Sequence, residues 1–259
     1  MTAMKPLLLV AHPGHELRVF QWVQQARPQV VVLTSGDGSI GQPRLEDSRR
    51  MLNQWGLDVR SEWLAPVSDS VVYQALLGTG VSPFGEWLDG LTRAALEAGI
   101  DTVVADEAEG YNPSHDLCRV LANRLVSRLR AAGREVRNLE IPLVGHPCDP
   151  AREDQIEIEV RLTEAELRQK LEQVLDYARR CSPVLLAEVQ TMFDTFGTQA
   201  FARECLYPAA RTPYEEGVLP GDMPHFERVG EERQAAGIYK DVIRARHLLR
   251  MVTAAGLPG

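Results

Sequence analysis

The run Pro6-Leu-Leu-Leu-Val-Ala11 is apolar throughout and stops abruptly at His12-Pro-Gly-His15-Glu16. Unbroken apolar runs mark strands covered on both faces, which belong to parallel sheets, whereas strands with one wet face alternate. Past the Pro-Gly turn, Leu17, Phe20, Val23 and Ala26 recur at helical spacing as far as Arg27, and Pro28 closes the segment. The same cadence then returns. Val30 to Leu33 is apolar and leads through Thr34-Ser-Gly-Asp-Gly38 into a helical stretch bearing Leu45, Leu52 and Trp55, with Gly56 as its C′ residue. Ser82-Pro83 reads as an N-cap and first helical position, followed by Trp87, Leu91, Ala94 and Leu96 before Gly99. Ile100 to Val104 is a further strand, Leu117, Leu121 and Leu125 stripe a helix that Gly133 stops, and Val136 to Ile141 is another strand. This alternation predicts an α/β fold: a Rossmann-like, mostly parallel sheet with right-handed crossovers and helices on both faces.

After Pro147 the pattern changes. Ile156, Ile158, Val160 and Leu162 alternate with Glu157, Glu159 and Arg161, which predicts a half-exposed strand at a sheet edge. Thr163 and Glu166 form a capping box for a helix presenting Leu167, Leu171, Val174 and Ala178 on one face. Residues 208–230, rich in Pro, Gly and acidic side chains, read as a long loop, and a last helix is expected from about Glu231 to Thr253. The expectation is one domain over 1–259, with a core over 1–147 and a C-terminal strand, helices and loop over 148–259.

Charge narrows the partners. A net charge of -8, with no run of Lys and Arg, argues against nucleic acid. The apolar stretch at 7–11 is too short for a membrane span or a signal segment, so a cytoplasmic protein is expected. Cys118, Cys148, Cys181 and Cys205 lie far apart without a C-x-x-C pair, which argues against a thiolate zinc site and against a disulfide framework; reduced thiols are expected. Self-association as a homo-oligomer stays open.

In open α/β sheets ligands sit outside the carboxyl ends of the strands. The polar residues gather there: His12, His15 and Glu16 after the first strand, Asp37 after the second, and Asp106, Glu107, Glu109, Asn112, Ser114, His115 and Asp116 after the strand at 100–104. His12 and His15 flank a turn whose glycine lets both rings face one point, and with His115 they make a candidate set of three metal ligands. Arg44 and Arg49 offer guanidinium forks to a carboxylate, phosphate or sugar hydroxyl, although a solvated helix face accounts for them equally. Asp37 suits a sugar hydroxyl, and Asp is favoured in turns in any case. The Gly36-x-Gly38 pair is too short for a dinucleotide fingerprint. His146, His225 and His247 read as structural or surface residues, with His225 on a loop able to close over the site.

The ordered set of motifs resembles the LmbE-like (PIG-L-type) deacetylase family. Ala11-His12-Pro13-Gly14-His15-Glu16 stands where that family reads A-H-P-D-D-E after a hydrophobic strand. Leu33-Thr34-Ser35-Gly36-Asp37-Gly38, followed by Arg44, Glu46, Arg49 and Trp55-Gly56, is similar to the family's LT-x-G loop and helix. Gly110-Tyr-Asn-Pro-Ser-His115 resembles its G-x-H-P-D-H segment, and Lys170 to Tyr177 its K-x-x-A-x-x-x-Y helix. The likeness extends to the tail at Phe226-Glu-Arg228 and Gly230-Glu-Glu-Arg233, so it spans nearly the whole chain.

The resemblance implies a zinc-dependent hydrolase that removes an acyl group, typically acetyl, from an N-acylated sugar or related small metabolite. It implies His12 and His115 as metal ligands, with His15 where the usual ligand Asp stands; three imidazoles suit zinc, and iron, nickel or cobalt satisfy the same donors. The family's general base falls at Gly14, which has no proton acceptor, and the first His of its H-P-D-H falls at Asn112, which donates a hydrogen bond to an oxyanion without serving as an acid. Glu107, Asp106 and Glu16 are the substitute bases, Glu107 by preference, each with a structural role available as helix-start carboxylate or imidazole partner. The alternative is a divergent, non-hydrolytic relative that binds metal or sugar within a biosynthetic pathway.

Overall fold

The computed structural model describes residues 4–38 and 42–254. Six strands form one sheet in the order β2-β1-β3-β4-β6-β5. β1 (Pro6–Val10) lies parallel to β2 (Gln29–Val32) on one side and to β3 (Thr102–Asp106) on the other, and β4 (Arg137–Ile141) continues the parallel run. β6 (Arg203–Pro208) then turns antiparallel against β4, and β5 (Ile158–Arg161) pairs antiparallel with β6 at the edge. The mostly parallel sheet and the edge position of the alternating strand agree with the sequence pattern.

Every residue of β1 and β3 is buried, because helices cover both faces. Leu7 and Leu9 join the core beneath α3 (Asp69–Leu77), α4 (Phe84–Ala98), α5 (Pro113–Ala131) and α9 (Ala245–Ala254). Leu8 and Val10 face the opposite core, which holds residues of α1 (Phe20–Ala26), α2 (Leu45–Gln54) and α6 (Glu164–Cys181). Alternate residues of one apolar run thus serve two cores, the reason such a run tolerates no polar side chain.

Several expectations change in detail. The helix after the first strand begins as a 3-10 turn at His15–Val19 before α1, and the helix opening at Ser82-Pro83 starts one residue later, with Pro83 at the N-cap. The capping box at Thr163 and Glu166 is formed. The single last helix is instead two, α8 (His225–Ala235) and α9, parted by a turn with Gly237 at φ +71°. Glu227 of α8 accepts from the Ala245 backbone N–H, so the first helix supplies the cap of the second. The long loop therefore ends at Pro224. α7 (Pro183–Phe196), with Ser182 capping it, lies beside α6.

The cysteine expectation is corrected. Cys148 and Cys205 form a disulfide across 57 positions of sequence, while Cys118 and Cys181 are free. Spacing hides this pair because Cys205 lies on β6, and only the insertion of that strand beside β4 brings it next to the loop at 148. Among the described residues, no helix is long and apolar enough to cross a membrane.

Candidate metal and substrate site

β1 hydrogen-bonds to β2 on one side and β3 on the other, so successive connections leave it in opposite directions and open a crevice at the carboxyl ends. His12 and His15 follow β1, and His115 lies in the first turn of α5, which follows β3. Their ring centroids are 5.3 Å (His12 to His15), 5.2 Å (His12 to His115) and 4.7 Å (His15 to His115) apart. The structure brings all three rings together.

Local chemistry sets how they sit. Thr34 donates its hydroxyl proton to the Ala11 carbonyl at 3.1 Å, so it accepts from His12 Nδ1 at 2.8 Å. Asp69 Oδ1 stands 3.3 Å from the same nitrogen. That tautomer leaves His12 Nε2 as an acceptor, and it is buried without a hydrogen-bond partner. His15 Nδ1 donates to Asp106 Oδ2 at 2.8 Å, and Asp106 also accepts from the Ala11 N–H at 2.7 Å. His115 Nδ1 is likewise buried without a partner. Burial first, then the neighbouring imidazoles, holds His15 and His115 well below the ordinary histidine pKa, so both are neutral near pH 7.

Asp106 and Glu16 are fully enclosed. Asp106 orients His15, and burial pushes its carboxyl up to about 7. Glu16 accepts from the Gly14 N–H at 2.8 Å inside the turn, with its pKa raised by burial. Glu107 points elsewhere: Arg152 donates to it at 2.8 Å and to Glu140 at 2.8 Å. Glu109 accepts from the backbone N–H groups of Leu143, Val144 and Gly145 and so shapes the loop after β4. None of these four carboxylates lines the cavity described next.

The three histidines open onto a cavity of about 970 Å³. At its polar end are Arg44, Asp37, Asp69, Tyr111 and Asn112. Arg44 donates through Nε to the Gly36 carbonyl at 2.7 Å, and Asp37 accepts from Ser35 Oγ and from the Asp69 N–H. Arg49 does not line it and turns to Ser61 and Asp58. Asn112 caps α5, accepting from the Ser114 N–H at 2.8 Å, with Pro113 at the first helical position. His225 stacks on Tyr111 at 4.4 Å between ring centroids, at the start of α8.

Gly14 adopts φ +101°, and a Cβ built there would stand 2.7 Å from Cε1 of the Tyr177 ring and 3.1 Å from its hydroxyl. Tyr177 of α6 thus fills the space that a side chain at position 14 would need. Its hydroxyl is buried without a regular hydrogen bond, and burial raises its pKa well above the ordinary value, so it stays protonated.

Two cavity residues carry no mark in the sequence. Asp69 sits at the start of α3, where Ser-Asp-Ser reads like any helix opening; only the pairing of Thr34 with Val67 brings it to His12. Glu188 lies on α7 and lines the cavity; partial desolvation there raises its pKa although the side chain is exposed, and the Arg44 charge opposes that rise.

No family model matches the chain, and no curated protein matches it. Among solved structures it is similar to a triple mutant of a deacetylase of the teicoplanin biosynthetic pathway, at 17% identity over 81% of this chain and 99% of that one, with a TM-score of 0.41. It is also similar to an antimicrobial-pseudoaglycone deacetylase, at 14% identity over 81% and 98% and a TM-score of 0.48. A zinc-inhibited form of the teicoplanin deacetylase overlaps at 16% identity over 80% and 99%, with a TM-score of 0.37.

Proposed function

We propose that the chain is a metal-dependent amide hydrolase that removes an acyl group, acetyl in the simplest case, from an N-acylated sugar or a similar small metabolite. The meeting of His12, His15 and His115 at the sheet's carboxyl edge, with centroids 4.7 to 5.3 Å apart, carries this reading. Three imidazoles bound to one tetrahedral zinc through nitrogens at about 2.1 Å would have centroids roughly 5 Å apart. Engagement of Nδ1 by Thr34 and Asp106 is the outer support that metal-ligating histidines need, since it fixes the tautomer and frees the other nitrogen. A buried nitrogen without a partner, as His12 Nε2 is, costs about 1–3 kcal/mol unless something meets it. As they stand, no three His, Cys, Asp or Glu side chains among the described residues form a ready set of donors, so binding would turn the rings inward.

His12, His15 and His115 would hold zinc or another divalent ion, which supplies a Lewis acid for the acyl carbonyl and acidifies water at neutral pH. Asn112 has spent its carbonyl oxygen on Ser114 and shares a side-chain hydrogen bond with Tyr73, so one amide N–H is left to donate to the oxyanion that develops on the acyl oxygen. Asp69 orients His12. We assign the proton acceptor to Glu188 rather than Glu107, because Glu188 faces the cavity with a raised pKa whereas Glu107 is held by Arg152. Arg44 and Asp37 take substrate hydroxyls.

Two measurements test this. Metal analysis of the purified protein is expected to give one divalent ion per chain, lost in His12→Ala and His115→Ala. Release of free amine from N-acetyl sugars is expected to stop with chelator and to fall roughly 10²- to 10⁴-fold in Glu188→Gln, with Glu107→Gln close to wild type. A metal-free protein, or equal rates in Glu188→Gln, overturns the corresponding assignment. One observation favours the second reading, a non-hydrolytic binder: Tyr177 occupies the place where the resemblance puts a general base. Chelator-sensitive turnover excludes it.

A further inference from the structure

We infer that the substrate carries an acyl chain well beyond acetyl, of medium length, laid along α7; this rests on the hydrolase reading and names its substrate class. The cavity is far larger than an N-acetyl sugar requires and is divided by chemistry. Polar side chains line it beside the histidines, while α7 lends the other wall Glu188 and otherwise mostly apolar side chains. Val184, Leu185, Val189, Met192 and Phe196 of α7 line it, facing Val144 of the loop after β4.

Helix α7 is unusual in what it leaves uncovered. Over 14 residues only Val189 is buried, and Val184 is 60% exposed, although the helix is rich in apolar side chains. An apolar face of that kind marks a binding surface rather than a finished core. From Val184 to Phe196 the helix runs about 18 Å at a rise of roughly 1.5 Å per residue. The face is continuous with the histidine cluster in a single cavity, so whatever fills it joins the group that reacts. Hydroxyls of a sugar suit Arg44 and Asp37, which leaves the apolar half for the acyl side of the scissile amide.

The wall is also held in place. Arg18, half-buried, donates to the carbonyls of Pro142 at 2.9 Å and Gly145 at 2.8 Å, and to Met192 Sδ at 2.7 Å. The loop and α7 are thus tied to one guanidinium, which keeps the groove open between them.

The test uses N-acetyl-, N-hexanoyl- and N-decanoylglucosamine with the full chain. In chelator-treated protein, calorimetric titration is expected to show affinity rising about fourfold per methylene, roughly 250-fold from acetyl to hexanoyl. Val184→Glu and Phe196→Glu are expected to reduce that gain at least tenfold while leaving the weak acetyl binding unchanged. Equal affinity across the three ligands overturns the inference, as does a chain-length gain that persists in both variants. A dimer that Val184→Glu dissociates, with no decanoyl binding, would make this face a subunit contact and also overturn it. Chain-length-dependent binding without amine release from any of the three with zinc supplied would remove the hydrolase reading and leave the groove assignment standing. Acetyl cleavage without decanoyl binding would do the reverse.

Discussion

At position 14 two constraints meet: a left-handed backbone and an aromatic ring within contact of any added carbon. Strain at φ +101° and overpacking against Tyr177 each cost about 1–3 kcal/mol, so Gly14→Ala is expected to lose about 2–6 kcal/mol in urea unfolding. Combined with Tyr177→Ala, the loss should fall short of the sum by about 1–2 kcal/mol, because the clash is gone and only the backbone strain is left. A strictly additive cycle would mean that the ring yields freely. Arg152 poses a second residue-scale question, since one guanidinium holds both Glu107 and Glu140. Burial, then the Glu140 charge, raises Glu107 to about 7 from its ordinary 4.5 despite Arg152. A raised acid means that the folded state keeps a proton which the unfolded state releases, so stability falls as pH climbs from about 4.5 to 7 and is flat above. Arg152→Met raises that pKa further, and its penalty should be about 2–4 kcal/mol at pH 8 and roughly half that at pH 5. Melting curves at the two values check the sign. The histidines were legible because a Pro-Gly turn is a local feature, whereas the placing of Glu107 against Arg152, 45 residues on, is not.

Elements with a one-dimensional signature were readable, and those defined by long-range contact were not. The apolar runs of β1 to β3, the capping box of α6 and the edge strand β5 all declare themselves by period or by cap. β6 does not: Arg203-Glu204 opens it, and Glu204 is buried only because two other elements supply its partners. Its carboxylate accepts from the N–H groups of Gln21 at 3.0 Å and Trp22 at 2.8 Å, in the first turn of α1, and from Lys170 Nζ at 2.8 Å. Lys170 in turn donates to the Arg18 carbonyl at 3.0 Å. The two partners are therefore unequal. Lys170→Met leaves Glu204 with two backbone donors and the positive end of a helix, and should cost about 1–3 kcal/mol. Glu204→Leu strands a buried ammonium and uncaps α1, and should cost about 3–5 kcal/mol. Equal losses in chemical unfolding would show that the helix terminus contributes nothing.

For the molecule as a whole, the sheet has a parallel half that carries the candidate site and an antiparallel half that is fastened by the Cys148–Cys205 bridge. Fold class followed from the alternation of strands and helices; the bridge did not, since two cysteines 57 positions apart carry no sign of contact until β6 is in place. Disulfides persist in oxidising surroundings, while the sequence pattern alone favoured reduced thiols, so a thiol count distinguishes the two. Denatured without reductant, the chain is expected to expose two reactive thiols of its four cysteines, those of Cys118 and Cys181, and all four after reduction. Closing a loop of 57 residues restricts the unfolded ensemble by an amount worth about 4 kcal/mol in the chain-entropy account. Cys148→Ser with Cys205→Ser should therefore lower unfolding free energy by about 2–4 kcal/mol and raise the denaturant slope, because the freed chain expands further. The bridge packs with Tyr207 and Ile156, apart from the histidine cluster, so metal content in the double variant should match that of the parent. Four reactive thiols in the denatured parent, or an unchanged slope in the variant, would mean that strand pairing and packing, with no covalent link, join the two halves of the sheet.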